Sequence, residues 1–276
     1  MDKSFKLSNP PIPDSPDFPD KPAKPAGCLS NLAVVKEVQD LAKSLYLEAF
    51  AEFEQYYVEG EPLEITLLKI LKAQVQIRYD KLCATRIKNA GFPMLKTVHE
   101  FDFSPKIYPN VKEGQFSWLL SCEYIKDRQG AVLVGSSGLG KTHLAIAVGI
   151  EAINKGYRVL FRRADTLLTE MLEAKNNKIL LDLSKKIENA DLLILDELGI
   201  QSYSKEESGL LYRTINERYE KKSVILTTNL HFSEWGSFIP DEKISKATID
   251  RIINHSRIIN MNGSKSYRFT HTLDKK

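Results

Sequence analysis

A glycine-rich loop near the middle of the chain has the residue types and spacing of a phosphate-binding site. Glycines let backbone N–H groups face phosphate oxygens, and the start of a helix adds a favourable dipole. We expect Lys141 to reach the β- and γ-phosphates of ATP and the Thr142 hydroxyl to hold Mg²⁺. A chance glycine-rich turn of this pattern arises in roughly one chain in a hundred. The loop fits G-x-x-x-x-G-K-[ST], and with the residue after it the predicted nucleotide-binding set is Gly135, Ser136, Ser137, Gly138, Leu139, Gly140, Lys141, Thr142 and His143.

Two acidic residues, Asp196 and Glu197, follow an apolar run at residues 192–195. Open α/β sheets bind ligands at the carboxyl ends of their strands, which is where these acids would lie. We predict that Asp196 helps to hold Mg²⁺ and that Glu197 polarises the attacking water. The alternative is a strand that ends in a solvated acidic turn. The glycine-rich loop upstream favours the functional interpretation.

Three further polar residues could take part in ATP hydrolysis or could be ordinary turn or surface residues. Asn229 follows an apolar run at residues 224–227 and could touch the γ-phosphate or orient the water, although asparagine at a strand end is commonly a turn former. Arg251 lies on a helix predicted at residues 247–254, and Arg268 lies near the chain end. From sequence alone each is a surface arginine. The mechanistic alternative is an arginine finger, which neutralises charge on a transferred phosphoryl group.

Alternating strands and helices are predicted to position these residues. The continuous apolar runs are typical of strands buried on both faces of a parallel sheet. Helices are predicted between them, for example at residues 142–154 and 208–221, so the sequence indicates an α/β nucleotide-binding core. The predicted strands are residues 131–134, 158–161, 192–195, 224–227 and, as the weakest, 257–261.

The part of the chain before this core has a different composition. Residues 1–27 are rich in Pro, Asp and Lys, which predicts a flexible, partly polyproline arm that is either a docking motif or an unstructured tail. One helix is predicted at residues 34–57 and a second at residues 63–90. Apolar positions of the second helix recur every three or four residues, at Leu68, Leu71, Val75, Tyr79 and Leu82. Its other face either binds phosphates or an acidic partner, or is an ordinary solvated face; it carries Lys69, Lys72, Arg78, Lys81, Arg86 and Lys88.

The bulk composition sets limits on the class of protein. The 276 residues carry a net charge of +3, which permits nucleic-acid binding without requiring it. The three cysteines, Cys28, Cys83 and Cys122, form no C-x-x-C pair, so neither a disulfide framework nor a zinc site is indicated. We expect a cytoplasmic protein with no membrane partner, because no secretory signal and no apolar run of membrane-spanning length is present.

Several segments together resemble the IstB-like transposition helper ATPases, close relatives of DnaC-type helicase loaders in the AAA+ superfamily. The resemblance extends from about residue 32 to residue 268, and the Walker motifs within it are shared by many NTPases. The segments at 92–103 and 232–236 are more specific. The resembling segments are residues 90–97 and 100–103, then 192–199, then 226–230, 232–236, 250–252 and 266–268.

The resemblance implies roles and an architecture. It implies an AAA+ P-loop NTPase core with a parallel sheet flanked by helices, preceded by a small all-helical domain. We expect a disordered arm at residues 1–30, a helical domain at 31–97 for transposase contact and oligomerisation, and the ATPase domain at 98–276. By resemblance Asn229 is the sensor-1 residue, Arg268 the sensor-2 arginine, and Arg251 an arginine finger that acts on ATP held by a neighbouring subunit.

The family's activity suggests what the chain does. ATP is expected to drive a ring or helical homo-oligomer around duplex DNA, which remodels the target and recruits the partner transposase of an insertion sequence. The alternatives are a replicative helicase loader of the DnaC type and a P-loop kinase with a small-molecule substrate. In related ATPases the helices after the second strand line the central channel. For each predicted DNA contact in this region, the alternative is an ordinary surface residue. The predicted contacts are Arg162, Arg163, Lys175, Lys178, Lys185 and Lys186.

Overall fold

The computed structural model describes residues 32–176 and 180–263. The predictions for the arm at residues 1–30, for Lys178 and for Arg268 therefore lie outside the described residues. The chain divides into two compact units, with the boundary between Ala84 and Thr85. Each unit is described by itself.

The first unit begins with two helices where the sequence predicted one. The continuous helix expected at residues 34–57 is wrong, because α1 (Leu32–Ser44) and α2 (Glu48–Ala51) are separated by a turn. Tyr46 adopts a left-handed conformation with φ 55°. The Tyr46 N–H donates to the Lys43 carbonyl at 3.1 Å and the Leu47 N–H to the Ala42 carbonyl at 2.8 Å, which is the Schellman pattern of a helix end. A 3₁₀ turn follows at Phe53–Gln55.

The next helix, α3 (Leu63–Ala90), has the predicted bounds but buries a different face. Ile70 and Ala73 pack against Ala49, and the Gln74 Oε1 atom accepts a hydrogen bond from the Ala49 N–H at 3.0 Å. The apolar positions predicted as the repeating stripe are largely exposed, because α2 packs on the neighbouring face. Exposed fractions are 51% for Leu68, 51% for Leu71, 61% for Val75 and 41% for Leu82.

The second unit contains a five-stranded sheet in which every pair is parallel, in the order β2-β3-β4-β1-β5. All residues of β1 and β3 are buried, which confirms the prediction of strands covered on both faces. Most residues of β5, at one edge, are not fully buried. The strands are β1 (Gly130–Val134), β2 (Val159–Arg163), β3 (Leu192–Asp196), β4 (Ser223–Thr228) and β5 (Ser256–Asn260).

Helices connect these strands, and their starts follow from capping residues. The helix predicted at residues 208–221 begins earlier, because the Ser204 and Glu207 side chains form a capping box. The helix predicted at residues 247–254 also begins earlier, because the Asp241 carboxylate accepts hydrogen bonds from two backbone N–H groups of the first turn. The helices are α4 (Gln115–Ser121), α5 (Lys141–Asn154), α6 (Ala164–Asn176), α7 (Leu180–Asn189), α8 (Lys205–Arg218) and α9 (Glu242–Asn254).

Close packing on both faces of the sheet fixes the helix that follows the glycine-rich loop. A Cβ atom on Gly149 of α5 would lie 2.8 Å from the Phe92 ring and 2.9 Å from the Ile194 Cδ1 atom of β3. On the opposite face, Leu193 and Leu195 of β3 belong to the core formed with α6 and α8. None of the helices in the described residues is long and apolar enough to cross a membrane.

A buried arginine, Arg218, joins the amino ends of β3 and β4 to α7. Its Nη1 atom donates to the Ile187 carbonyl at 2.6 Å, and its Nη2 atom donates to the carbonyls of Ala190 at 3.1 Å and Ser223 at 2.8 Å. Burial lowers the pKa of Arg218 to about 10. The guanidinium therefore donates to three carbonyls from separate segments and joins them in the buried interior.

We predict that Arg218→Met lowers the free energy of unfolding of this unit by about 2–4 kcal/mol, because the buried carbonyls lose their donors. Urea unfolding followed by tryptophan fluorescence measures this effect, since both tryptophans of the chain, Trp118 and Trp235, lie in the second unit. The matched control is Arg213→Met on the same helix. Arg213 is exposed and pairs with Glu217, so its replacement should change stability by about 0.5 kcal/mol or less. Equal effects of the two substitutions would contradict this role of Arg218.

Candidate nucleotide-binding site

The glycine-rich loop at residues 135–140 connects β1 to α5 at the carboxyl edge of the sheet. Gly138 and Gly140 have φ values of 85° and 81°, a conformation that side chains with a Cβ atom rarely adopt. The Lys141 side chain folds back over the loop, and its ammonium donates to the Gly135 carbonyl at 2.6 Å and the Ser136 carbonyl at 2.8 Å. The cation and the N-terminus of α5 therefore face the same space, which suits phosphate groups.

The Asp196 carboxylate is held by two threonine hydroxyls. The Thr142 Oγ1 atom donates to it at 2.9 Å, and the Thr227 Oγ1 atom donates to its Oδ1 atom at 2.6 Å. The Thr227 hydroxyl also accepts the Glu197 N–H at 2.9 Å. A hydroxyl and a carboxylate are oxygen ligands that Mg²⁺ accepts alongside phosphate oxygens. The donor set of Thr142 and Asp196 therefore fits Mg²⁺, and their role as metal ligands stays a prediction.

The second acid, Glu197, is paired with a cation. Its backbone has φ 60°, in the left-handed region, and its Oε2 atom lies 2.9 Å from the Arg163 Nη2 atom. The same Arg163 nitrogen lies 3.0 Å from the Asp165 Oδ2 atom. Hydrogen bonding to Arg163 holds the pKa of Asp165 below its usual value, and the bond to Asp165 raises the pKa of Arg163. The Glu197 carboxylate is therefore engaged by Arg163 in this structure.

A cleft of about 700 Å³ contains these groups, a size within the range of small-ligand sites. Asn229, the residue directly after β4, lines this cleft, and so does His143. One wall comes from the segment after α3, including Lys96. Among the described residues no cluster of three or more His, Cys, Asp or Glu side chains could hold a metal ion. The predicted lining residues that meet here are Ser137, Gly138, Gly140, Lys141, Thr142, His143, Asp196, Glu197 and Asn229.

Aromatic side chains pack against the glycine-rich loop, and apart from the resemblance at residues 100–103 no sequence pattern predicted them. The Tyr108 hydroxyl donates to the Leu139 carbonyl at 2.9 Å, and its ring stacks on Phe101 at 5.4 Å. A Cβ atom on Gly140 would lie 3.0 Å from the Phe101 ring. At the start of the loop, the Ser136 N–H donates to the Asn262 Oδ1 atom at 3.0 Å. The loop conformation is therefore fixed by contacts from both flanking segments.

The structure does not bring Arg251 to this cleft. Arg251 lines a separate small cavity with Gly130, Val224 and Ser256. These residues lie at or next to the amino ends of β1, β4 and β5, whereas the glycine-rich loop follows the carboxyl end of β1. A five-residue strand spans roughly 16 Å, so the two features lie at opposite edges of the sheet.

The residues predicted to contact DNA fall into two groups. Arg162 and Arg163 line the nucleotide cleft, and the Arg162 Nε atom lies 3.2 Å from the Glu170 carboxylate. Lys175 pairs with Glu206 on the surface. Lys185 and Lys186 are exposed on α7. The DNA contacts therefore stay a prediction, and the two arginines already have carboxylate partners.

We predict that Thr227→Val weakens the affinity for Mg²⁺–ATP by about tenfold, because a residue that orients a metal ligand typically contributes that much or more. The affinity for ATP in the presence of a chelator should stay unchanged, since Thr227 holds Asp196 rather than the phosphate loop. Titration with a fluorescent ATP analogue, with and without Mg²⁺, measures both. Thr227→Ser keeps the hydroxyl and serves as the control. An equal loss in both conditions would mean that Thr227 supports the loop instead.

Solved structures with the same architecture identify the fold. AMPPCP-bound DnaA from Aquifex aeolicus matches with a TM-score of 0.53 and 22% identity, over 67% of this chain and 55% of that chain. DnaI matches with a TM-score of 0.50 and 20% identity, over 60% of this chain and 90% of that chain. Identities this low show the fold alone, which is that of an AAA+ P-loop NTPase and confirms the predicted fold class.

Sequence relatives give the family. The chain is 37% identical to the ATP-binding protein of insertion sequence IS21 from Pseudomonas aeruginosa, over 69% of this chain and 71% of the relative. It is 33% identical to that of IS232 from Bacillus thuringiensis subsp. berliner, over 76% of this chain and 83% of the relative. The family model described as IstB-like ATP binding protein matches residues 37–275. The resemblance found in the sequence is thus confirmed, and the chain belongs to the IstB-like family of ATP-binding proteins of insertion sequences.

Proposed function

We propose that this chain is an ATPase that assembles on duplex target DNA, remodels it, and recruits and stimulates the transposase of its insertion sequence. The observation that carries the proposal is the cleft in which Lys141, Thr142, Asp196 and Glu197 meet, in a chain of the IstB-like family. Hydrolysis in this proposal is a switch that ends an assembly. A reducing, cytoplasmic setting, where the target DNA is found, belongs to the same proposal.

The residues of the cleft have distinct roles in ATP binding and hydrolysis. The Lys141 ammonium and the first turn of α5 bind the phosphates. Thr142 and Asp196 hold Mg²⁺, which neutralises phosphate charge when bound. Glu197 accepts a proton from the attacking water, and Asn229 orients that water as the sensor-1 residue. The proposed sensor-2 role of Arg268 lies outside the described residues.

Hydrolysis in this proposal requires the ion pair between Arg163 and Glu197 to open. The two side chains are 49% and 36% exposed. Ion pairs this exposed are worth about 1 kcal/mol or less, so a change in the assembly or in the bound nucleotide can separate them. Asp165 is already bonded to Arg163 and can keep the arginine when Glu197 leaves. Turnover then depends on a rearrangement at this pair.

An assembly of several copies is part of the proposal because of the position of Arg251. Its cavity lies at the amino edge of the sheet, away from the ATP bound by its own chain. As an arginine finger it would act on the ATP of the next copy in a ring or helical oligomer. ATP binding would then favour assembly, because each nucleotide bridges two copies.

Duplex DNA and the transposase are the proposed partners. Exposed lysines on α7, Lys185 and Lys186, are suited to sequence-independent phosphate contacts, as is Lys175 on α6. The proposed contact by Lys178 lies outside the described residues. A contact by Arg162 or Arg163 requires a phosphate to replace its carboxylate partner. The exposed apolar stripes of the first unit support its proposed role in transposase contact and oligomerisation. They comprise Val34, Val38 and Leu41 on α1 with Leu45 just after it, and Leu63, Leu67, Leu68, Leu71, Val75 and Leu82 on α3.

We predict large complexes on duplex DNA that form only with ATP or a slowly hydrolysed analogue. Light scattering and gel shift, on duplex and on single-stranded DNA of equal length, measure them. Lys141→Ala should weaken ATP affinity by about 100-fold through loss of a charge-assisted contact, and should lose these complexes. Lys221→Ala, at an exposed position, is the control. A preference for single strands would favour a helicase loader, and the absence of DNA binding would contradict the proposal.

We predict that Glu197→Gln binds ATP with wild-type affinity but hydrolyses it at least about 100-fold more slowly, because the amide cannot accept the proton. Its complexes on DNA should therefore persist longer after ATP is added. Release of inorganic phosphate and the dissociation rate of the DNA complex measure the two effects. Glu173→Gln, exposed on α6, is the control. Unchanged turnover in Glu197→Gln would remove this residue from the proposed mechanism.

A further inference from the structure

We propose that one face of α8 forms a cradle that fixes the Arg251 guanidinium in position for the neighbouring copy. The cradle consists of Tyr212, Asn216 and Tyr219. This inference rests on the proposed function, since it assumes that Arg251 acts on ATP bound by another copy. Tyr212 and Asn216 are positioning residues in this proposal, and neither touches the nucleotide.

The contacts of the Arg251 side chain define the cradle. Its Nε atom donates to the Asn216 Oδ1 atom at 2.9 Å, and its Nη1 atom donates to the Ala247 carbonyl one turn earlier on α9 at 3.1 Å. The guanidinium carbon lies 5.0 Å from the centre of the Tyr212 ring and 5.8 Å from that of the Tyr219 ring. Both distances fall within the range of a cation–π contact.

The spacing of the cradle residues explains why they act together. Tyr212, Asn216 and Tyr219 are four and three residues apart, so they lie along one face of α8 and its end. Asn216 is exposed and the two tyrosines are half-buried, which leaves the cradle open at the surface. Among the described residues, Nη2 of Arg251 has no hydrogen-bond partner. The cradle therefore holds two guanidinium nitrogens and leaves the third to bond to a phosphate oxygen.

Holding the guanidinium in place before assembly matters because an arginine finger must contact a specific phosphate oxygen in the neighbouring site. A free arginine side chain samples many rotamers, and each has to be given up when the finger enters a neighbouring site. A displacement of about 1 Å at a catalytic group can cost up to 100-fold in rate. A guanidinium that is already held by one amide and two rings loses less freedom and is correctly oriented when the copies meet.

The junction of α8 and α9 does not depend on the cradle, which separates positioning from a purely structural role. Ile215 on α8 and Ile252 on α9 are each 4% exposed and belong to the main core. These residues hold the two helices together through apolar packing. Removing the Asn216 amide at the exposed surface should therefore leave the helix pair intact.

The test compares steady-state ATP hydrolysis by Asn216→Ala and by the wild type on duplex DNA, at protein concentrations where light scattering shows equal assembly. We expect kcat to fall about tenfold while KM for ATP and thermal stability stay unchanged, because the nucleotide's own binding residues are untouched. Tyr212→Leu should show the same pattern, and Tyr212→Phe should restore wild-type kcat because it keeps the ring. Glu217→Ala, next to Asn216 and paired with Arg213, is the matched control and should be unchanged.

A second set of variants distinguishes an error in the cradle proposal from an error in the proposed function. Arg251→Ala should lose about 1000-fold in kcat, and adding Asn216→Ala to it should have no further effect. Wild-type kcat in Asn216→Ala, with a large loss in Arg251→Ala, would overturn the cradle alone. A further loss in the double variant would also overturn it, since Asn216 would then act elsewhere. Wild-type kcat in Arg251→Ala would overturn the finger role on which the cradle rests.

Mixed assemblies locate the defect between copies. Lys141→Ala subunits keep an intact finger but are left without nucleotide at ATP concentrations that fill only the other subunits, so they should raise the turnover of Asn216→Ala subunits by supplying correctly held fingers. Lys141→Ala subunits that also carry Asn216→Ala should fail to do so. Equal rescue by both would overturn the cradle.

Discussion

The contact on which the candidate site depends is the pair of threonine hydroxyls that hold the Asp196 carboxylate. Thr142 comes from the first turn of α5, Thr227 comes from β4, and Asp196 ends β3. These elements meet because β1, β4 and β3 are adjacent and parallel, so their carboxyl ends share one edge. Asp196 is only 3% exposed, and a carboxylate buried so deeply needs hydrogen-bond donors. The register of the sheet therefore also sets the position of the proposed metal ligands, Thr142 and Asp196.

The same sheet separates the two charged groups that the proposed reaction needs. Lys141 follows β1 at the carboxyl edge, and Arg251 lies beside Gly130 at the amino edge. No side-chain rotation covers roughly 16 Å of strand, since an extended arginine reaches less than half that distance. The core of one chain thus keeps its own arginine away from its own phosphate loop. In the proposed assembly a second copy would supply the missing charge without any rearrangement of the buried strands.

The sequence predicted the elements whose signal is local and missed those set by contacts distant in the chain. The apolar run before Asp196 and the pattern around Lys141 gave β3 and the phosphate loop almost to the residue. The break at Tyr46 was missed because a left-handed tyrosine has no glycine or proline to mark it. Arg163 was predicted to bind DNA because it follows a strand. Its pairing with Glu197 depends on the register between β2 and β3, which sequence spacing does not show.

The positions of the two arginines suggest why hydrolysis in the proposed assembly is conditional. Arg163 bonds to Glu197 within one chain, and in the proposed mechanism this bond keeps the carboxylate from acting as a base. Arg251 is held by Asn216 at the opposite edge and meets a nucleotide only when a neighbour is present. In this proposal an isolated chain has its base occupied and its finger out of reach, while its phosphate loop and proposed metal ligands are complete. Under the proposed function, such a chain would bind ATP first and hydrolyse it only after assembly, which is the order that a switch on DNA requires.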